Sequence, residues 1–497
     1  MKKKIILALL ITVVFAGTAF SVEAAKGDPQ LKDGEFTKLA KSYPIPDVSS
    51  GELKLAEPSP EILASWWTTF NDETLTRLIE CSLKNSRDLN TARSRVVQAR
   101  AGLSSSKANL LPWLDATGTY QRGMKSVATS GDAYAPEKSD RGSGGMTSNV
   151  FSLGIDASWE IDIFGARRAE VRSAKATVQS QYAQLYNTWV SLSSEIALQY
   201  ITLRTAQLNL KVAEENYKLR EETYRLQESR WKSGLADQLT LKQAKYTLEQ
   251  VEAMIPPLKT SVEEAKNAIA VLVGKIPGEL EEELNAPKDI PVASGGVLYG
   301  IPANMLRQRP DIQAAERQVA AAFAKRQAAQ ANLWPRFFLA GSIGTEALDS
   351  DSLFKAVSRN FGFGPSVTLP IFHWGAIRSN IIVQTELEKQ ALYAYEKTVL
   401  KAIAEVRNAL IESVHGIDRG TSLKDGVDAA KAAVEIAEDK YKAGLVNFDT
   451  VINAQEAYLS LSEQYAINKG RISSATIQLF KALGGGWQPI DAELAKK

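Results

Sequence analysis

Residues 151–165 read FSLGIDASWEIDIFG, and two periodicities meet there. Phe151, Leu153, Ile155, Ala157, Trp159 and Ile161 alternate with Ser152, Gly154, Asp156, Ser158 and Glu160. Alternation over 11 residues gives an extended strand one apolar and one polar face. Gly165 closes the pattern. From there to Gly234 no proline occurs, and Ala, Leu, Glu, Gln, Lys and Arg, all good helix formers, dominate. The pattern predicts a strand at about 150–161 running into one helix at about 165–233. Such a helix would be about 100 Å long, several times the globular average.

The junction is written twice. FGPSVTLPIFHWG (363–375) matches LGIDASWEIDIFG (153–165) at an offset of 210, pairing Gly165 with Gly375. The offset persists: RWKSGLADQLTLKQA (230–244) matches KYKAGLVNFDTVINA (440–454). Upstream, SRDLNTARSRVVQARAGLSSSKANLLP (86–112) aligns without a gap to RPDIQAAERQVAAAFAKRQAAQANLWP (309–335), at an offset of 223. Two copies of one unit therefore run over about 73–274 and 301–484, with a Pro/Gly-rich linker at 275–300. An N-terminal segment (25–72) and a C-terminal tail (485–497) flank them.

Each unit opens with a helix, started in the second copy by Pro310 at its first position. Pro112 and Pro335 disfavour helix at the residue before them, so the helices should stop within ANLLP and ANLWP. Shorter alternating stretches follow, predicting strands at about 113–123 and 336–345; the fourth strand is expected at about 361–371, with its long helix at about 375–443. Half-buried hairpins and tilted membrane strands both fit this alternation. An 11-residue strand with a wholly apolar face matches a membrane span, and Trp113, Tyr120, Trp159 and Trp334 would suit an interfacial girdle.

In the first long helix Leu203, Leu210, Tyr217, Tyr224 and Trp231 recur every seven residues, as do Val212, Leu219 and Leu226. The two series lie on nearly opposite sides, so the helix needs a neighbour on each side. Gly234-Leu235 and Gly444-Leu445 should turn the chain back, with Asp237 and Asn447 capping the returning helices. Pro256 and Pro257 should break or kink the first of these.

The net charge of +2 offers no electrostatic case for nucleic acid. Lys2–Lys4, an apolar run to Phe20 and Val22-Glu23-Ala24 make a secretory signal over residues 1–24. No cysteine near that cleavage point could carry a lipid, and the lone Cys81 excludes an internal disulfide. Cys81 is expected to be a small buried apolar residue. His373 and His415 are the only histidines, and no metal, cofactor or nucleophile motif accompanies them, so an enzyme is not expected. Four strands cannot close a barrel, and an open edge in lipid is forbidden, so the chain must assemble with copies of itself. A conduit favours at least three.

The chain resembles the outer-membrane factors of the TolC and OprM type. The resemblance rests on SWWTTFNDETLTRLIE (65–80), ANLLPWLDATGTY (108–120), ASWEIDIFG (157–165), RPDIQAAE (309–316), SLFKAVSRNFGFGPSVTLPIF (352–372), KYKAGLVNFDTVINAQEA (440–457) and LFKALGGGW (479–487). It implies a mainly helical, duplicated fold with four strands per chain in a 12-stranded trimeric barrel. A periplasmic helical tunnel and a mixed equatorial belt complete it. It also implies the exit duct of a tripartite efflux pump in a Gram-negative outer membrane. The partners would be a periplasmic adaptor and an inner-membrane transporter of the resistance-nodulation-division class. Ducts for type I secretion or metal-cation efflux fit the same pattern. The turn residues Gly234, Leu235, Asp237, Gly444, Leu445 and Asn447 would be docking tips. The family's constriction lies just past the second turn, where OprM-like chains carry Asp and then Arg; here Asn453 and Glu456 stand there. Asp449 shares their face by its spacing, and Gln243, which aligns with Asn453 in the first hairpin, joins the group. A ring of Asp449 and Glu456 would favour cations; an ordinary solvated helix face is the competing reading.

Overall fold

The computed structural model describes residues 63–125, 146–293 and 307–487. The expected signal peptide and parts of the expected N-terminal segment, first loop, linker and tail lie outside them.

Four strands, β1 (Trp113–Lys125), β2 (Met146–Ile161), β3 (Arg336–Ala347) and β4 (Arg359–Thr368), form one sheet in chain order, each pair antiparallel. Register sorts their side chains. Leu114, Tyr120, Leu153, Ile155, Ile343, Phe361, Phe363 and Val367 share one face, and all are exposed. The other face carries Asp115, Thr117, Ser152, Asp156, Ser342 and Ser366. An apolar exposed face backed by a polar one is the inverse of a soluble half-sheet and fits a lipid-facing wall around an aqueous lumen.

Two expectations change here. Trp113 pairs with Ser158 and so stands on the polar face, because a one-residue step from Leu114 inverts the side. β4 stops at Thr368 rather than near 371: its partner β3 begins at Arg336, and Arg336↔Thr368 is the last pair.

The helices are α1 (Glu73–Asn85), α2 (Arg87–Ala108), α3 (Ala166–Lys232), α4 (Gln238–Val273), the short α5 (Glu281–Asn285), α6 (Pro310–Ala331), α7 (Ala376–Lys442) and α8 (Phe448–Ala482). α3 and α7 each have 67 residues, so both span about 100 Å. α4 continues through Pro256 and Pro257 instead of breaking there. Both prolines are exposed, so solvent can satisfy the carbonyls they leave without donors. The Thr260 hydroxyl donates to the Pro256 carbonyl at 3.2 Å, and the Ser261 hydroxyl to that of Pro257 at 3.1 Å.

Beside the sheet the helices stand in the row α2–α3–α6–α7; in the distal half the row is α4–α3–α8–α7. Between these halves lies the main apolar core. Trp66 stacks on Phe480 at 5.6 Å, and the Trp189 indole donates to the Gly486 carbonyl. The first matched motif and the last thus meet around a glycine whose φ of +96° no ordinary residue adopts easily. Cys81 is partly rather than fully buried and packs against this core.

Candidate functional site: hairpin tips, constriction face and strand–helix joints

Both distal turns have the same build. The Leu235 amide donates to the Arg230 carbonyl at 2.8 Å and the Gly234 amide to that of Trp231 at 2.9 Å; Leu445→Lys440 (2.8 Å) and Gly444→Tyr441 (3.0 Å) repeat this. Each is a Schellman turn with glycine in the left-handed region, φ +73° and +76°. The turns hold Leu235 and Leu445 outward, 72% and 73% exposed. Their caps differ. Asp237 Oδ1 accepts the Thr240 amide at 2.8 Å and its hydroxyl, which hold this carboxyl below the usual carboxylate range. Asn447 occupies the matching position without a side-chain cap bond.

Just past the tips the structure brings two expected residues together. Gln243 Nε2 on α4 donates to Asp449 Oδ1 on α8 at 3.1 Å. Asn453 and Glu456 are exposed further along α8. The charge of Glu456 acts on the buried Arg220 of α3, whose pKa burial lowers and Glu456 raises. Gln455, buried between Asn453 and Glu456's neighbours, links the two hairpins: its amide donates to Thr223 at 3.0 Å and Glu438 at 3.1 Å.

At the strand ends, α2 stops at Ala108 and α6 at Ala331, the first residues of ANLLP and ANLWP. The remaining letters form a turn in which Leu111 and Trp334 donate backward at 2.9 and 3.1 Å, before Pro112 and Pro335 release the chain into β1 and β3. Gly165 and Gly375, φ +80° and +81°, turn the strands into α3 and α7. Trp159 donates its indole N–H to the Leu110 carbonyl at 2.9 Å, tying β2 to the end of α2. Phe164 stacks on Trp334 at 5.2 Å. Tyr120 lies within β1 rather than at its end, 4.8 Å from Phe151.

Sequence reading passed over two features. Arg309 opens the RPD motif and is buried, bridging Asp311 (2.8 Å), Glu405 (2.7 Å) and the Ala482 carbonyl (2.8 Å). It joins α6, α7 and α8; an arginine before Pro-Asp was the available signal. The second is the seam of α3. Beyond Gln207 its buried positions are Ala213, Asn216, Arg220 and Gln227, flanked by the two apolar series instead of formed by them. Scoring only apolar residues hid it.

The family model "Outer membrane efflux protein" matches residues 78–275 and 301–485. Among curated proteins, the solvent efflux pump outer membrane protein SrpC of Pseudomonas putida is 30% identical over 425 residues, 84% of this chain and 86% of that protein. The pyoverdine export outer membrane protein OpmQ of Pseudomonas aeruginosa is 30% identical over 438 residues, 88% of this chain and 90% of that one. Among solved structures, the outer-membrane channel OprN superposes with a TM-score of 0.80 at 30% identity, covering 90% of this chain and 99% of that chain.

Proposed function

The chain belongs to the outer membrane efflux protein family, a family of channels by fold, and on that premise we propose that three copies form the exit duct of a tripartite efflux pump. The observation that carries this reading is the pair of open edges. Among the described residues, β1, α2 and α4 are left unpaired on one side of the molecule's three layers, β4 and α7 on the other. A sheet edge in lipid is untenable, and head-to-tail repetition closes both sides at once. Three copies give twelve strands, enough for an aqueous lumen.

The duplication supplies the register. β2 pairs with β3 inside the chain; shifted by the repeat offsets of 210 and 223, the same pairing joins β4 to β1 of the next copy. Phe361, Val367 and Ile371 then lie opposite Met124, Gly118 and Leu114 of the partner subunit, all on the apolar face. Residues 369–371, unpaired within one chain, become strand. In a Cys81→Ser background, Ile371→Cys combined with Leu114→Cys should give disulfide-linked dimers and trimers, since directly opposed strand positions lie within disulfide reach. Ile371→Cys with Ala116→Cys, two residues out of register, should not. Cross-linking of the shifted pair only, or of neither, would overturn this assembly.

The exposed Leu235 and Leu445 turns suit docking of a periplasmic adaptor's helical hairpin, with an inner-membrane transporter of the resistance-nodulation-division class beyond. Relatives named for efflux of solvents and export of pyoverdine favour small organic cargo over metal ions or proteins. The apolar sheet face would anchor the duct without a lipid. Asp449 and Glu456, with Asn453 and Gln243, would line the narrowest part of the periplasmic end and give it an acidic ring.

A further inference from the structure

α3 buries two kinds of surface. Its proximal half contributes Leu185, Trp189, Leu192, Ile196, Ala197, Ile201 and Leu203 to the main core. Beyond Gln207 the inward-facing line changes character, half-buried at Asn209 and Thr223 and buried at its other positions. Asn209, Ala213, Asn216, Arg220, Thr223 and Gln227 follow one another at steps of four and three, a heptad stripe. The apolar heptads at Leu210/Tyr217/Tyr224 and Val212/Leu219/Leu226 run on either side. This is a coiled coil with its polar and apolar positions exchanged.

The stripe faces α4 and α8, and its polar groups outnumber their partners. Among the described residues Arg220 donates to the Thr247 carbonyl at 3.4 Å and its Nε has no partner; neither have Asn209 Oδ1, Asn216 Oδ1 and Gln227 Nε2, although Gln227 Oε1 accepts from the Tyr441 hydroxyl of α7 at 2.8 Å. Across the seam on α8, Ser462 Oγ is also unpartnered. Asn216, Arg220 and Gln227 are all more than nine-tenths buried. These donors and acceptors are spread along about 27 Å of α3, from 18 residues of helix. At its distal end Thr223 and Gln227 line a cleft of about 210 Å³, half open to solvent, between α3, α7 and α8. That is room for roughly seven waters at liquid density.

We propose that this seam is a hydrated file, in which exchangeable waters bridge the unpartnered groups of α3 to α4 and α8. Buried polar groups in native proteins are satisfied by protein or by water, and here protein does not suffice. The distal hairpins are then held apart from one another by a lubricated contact with apolar rails, whereas the proximal half is a dry, interlocked core. α3 can turn or slide against α8 by exchanging waters, with no packed core to break. The inference holds whether or not the chain is an efflux duct.

Two alanines of α3 test it. Ala213 lies in the polar stripe and Ala197 in the apolar core, and both are completely buried. Each is changed to cysteine in the full-length Cys81→Ser protein, and assembly is checked by electrophoresis. Labelling with 2-aminoethyl methanethiosulfonate, a water-borne thiol reagent, is then followed by mass. Ala213→Cys should react at least tenfold faster than Ala197→Cys. Equal, slow labelling of both would overturn the proposal. As a second measurement, Asn216→Leu/Gln227→Leu in the Ala213→Cys protein should slow its labelling to the rate of the core position. An unchanged rate would mean reagent entry by global opening, and would equally overturn it.

Discussion

Trp374 gives the sharpest test of the assembly. It follows β4, sits at a positive φ of +49°, and is 89% exposed in the single chain. Its repeat counterpart is Phe164, which stacks on Trp334 and is only 43% exposed. Trp334 in turn corresponds to Leu111. The duplication therefore seats Trp374 on Leu111 of the partner subunit. If Trp374 becomes as covered as Phe164, exposure falls from 89% to 43%. For a tryptophan of roughly 250 Å² this removes about 115 Å² from water, or about 3 kcal/mol per joint at 25 cal/mol/Å². A trimer has three such joints. Trp374→Ala should therefore weaken association by roughly a hundredfold in equilibrium constant per interface, and so lower the temperature at which the purified trimer dissociates. Phe164→Ala removes the equivalent contact inside one chain, so it should weaken subunit folding more than subunit association. The assay is semi-native electrophoresis over a temperature series, with mass photometry as a check on stoichiometry. A Trp374→Ala trimer dissociating at the wild-type temperature would refute the argument that intrachain joints template the interchain ones.

The tips and the constriction make two further predictions. Asp237→Ala should destabilise the start of α4, seen as faster amide exchange over residues 238–241, while Asn447→Ala should barely affect α8 because that side chain caps nothing. The Asp237 pKa is depressed in the folded state, so its cap is present above the unfolded carboxylate pKa and is lost as pH falls through the lower folded value. In planar bilayers, Asp449→Ala/Glu456→Ala channels should show reduced preference for cations over anions; unchanged reversal potentials in a salt gradient would count against the acidic ring.

Much of the fold was legible because its signals are local and occur twice. The change from period 2 to continuous helix at Gly165 and Gly375 marks the joints, and both helices begin within one residue of those glycines. ANLLP and ANLWP end helices because proline acts on its immediate neighbour. Local rules failed where a neighbour decided. Pro256 and Pro257 did not break α4, since the face they disrupt meets solvent. Trp113 stands on the polar face because pairing with Ser158 fixes its side, which aromatic character cannot do. Gln243 and Asp449 are 206 positions apart, and only the packing of α4 near α8 makes their hydrogen bond.

The sequence alone determined the duplicated unit, its four strands, its two long hairpins and their turns, through periodicity, glycine and proline acting over a few residues. Tertiary structure decided which surfaces those elements bury. Apolar periodicity indicates a contact but not its centre, so the polar stripe of α3 emerged only once α4 and α8 were seen to close on it. Likewise the unpaired edges at β1 and β4 exist only after the sheet order is known, because an edge is a property of pairing and not of any strand.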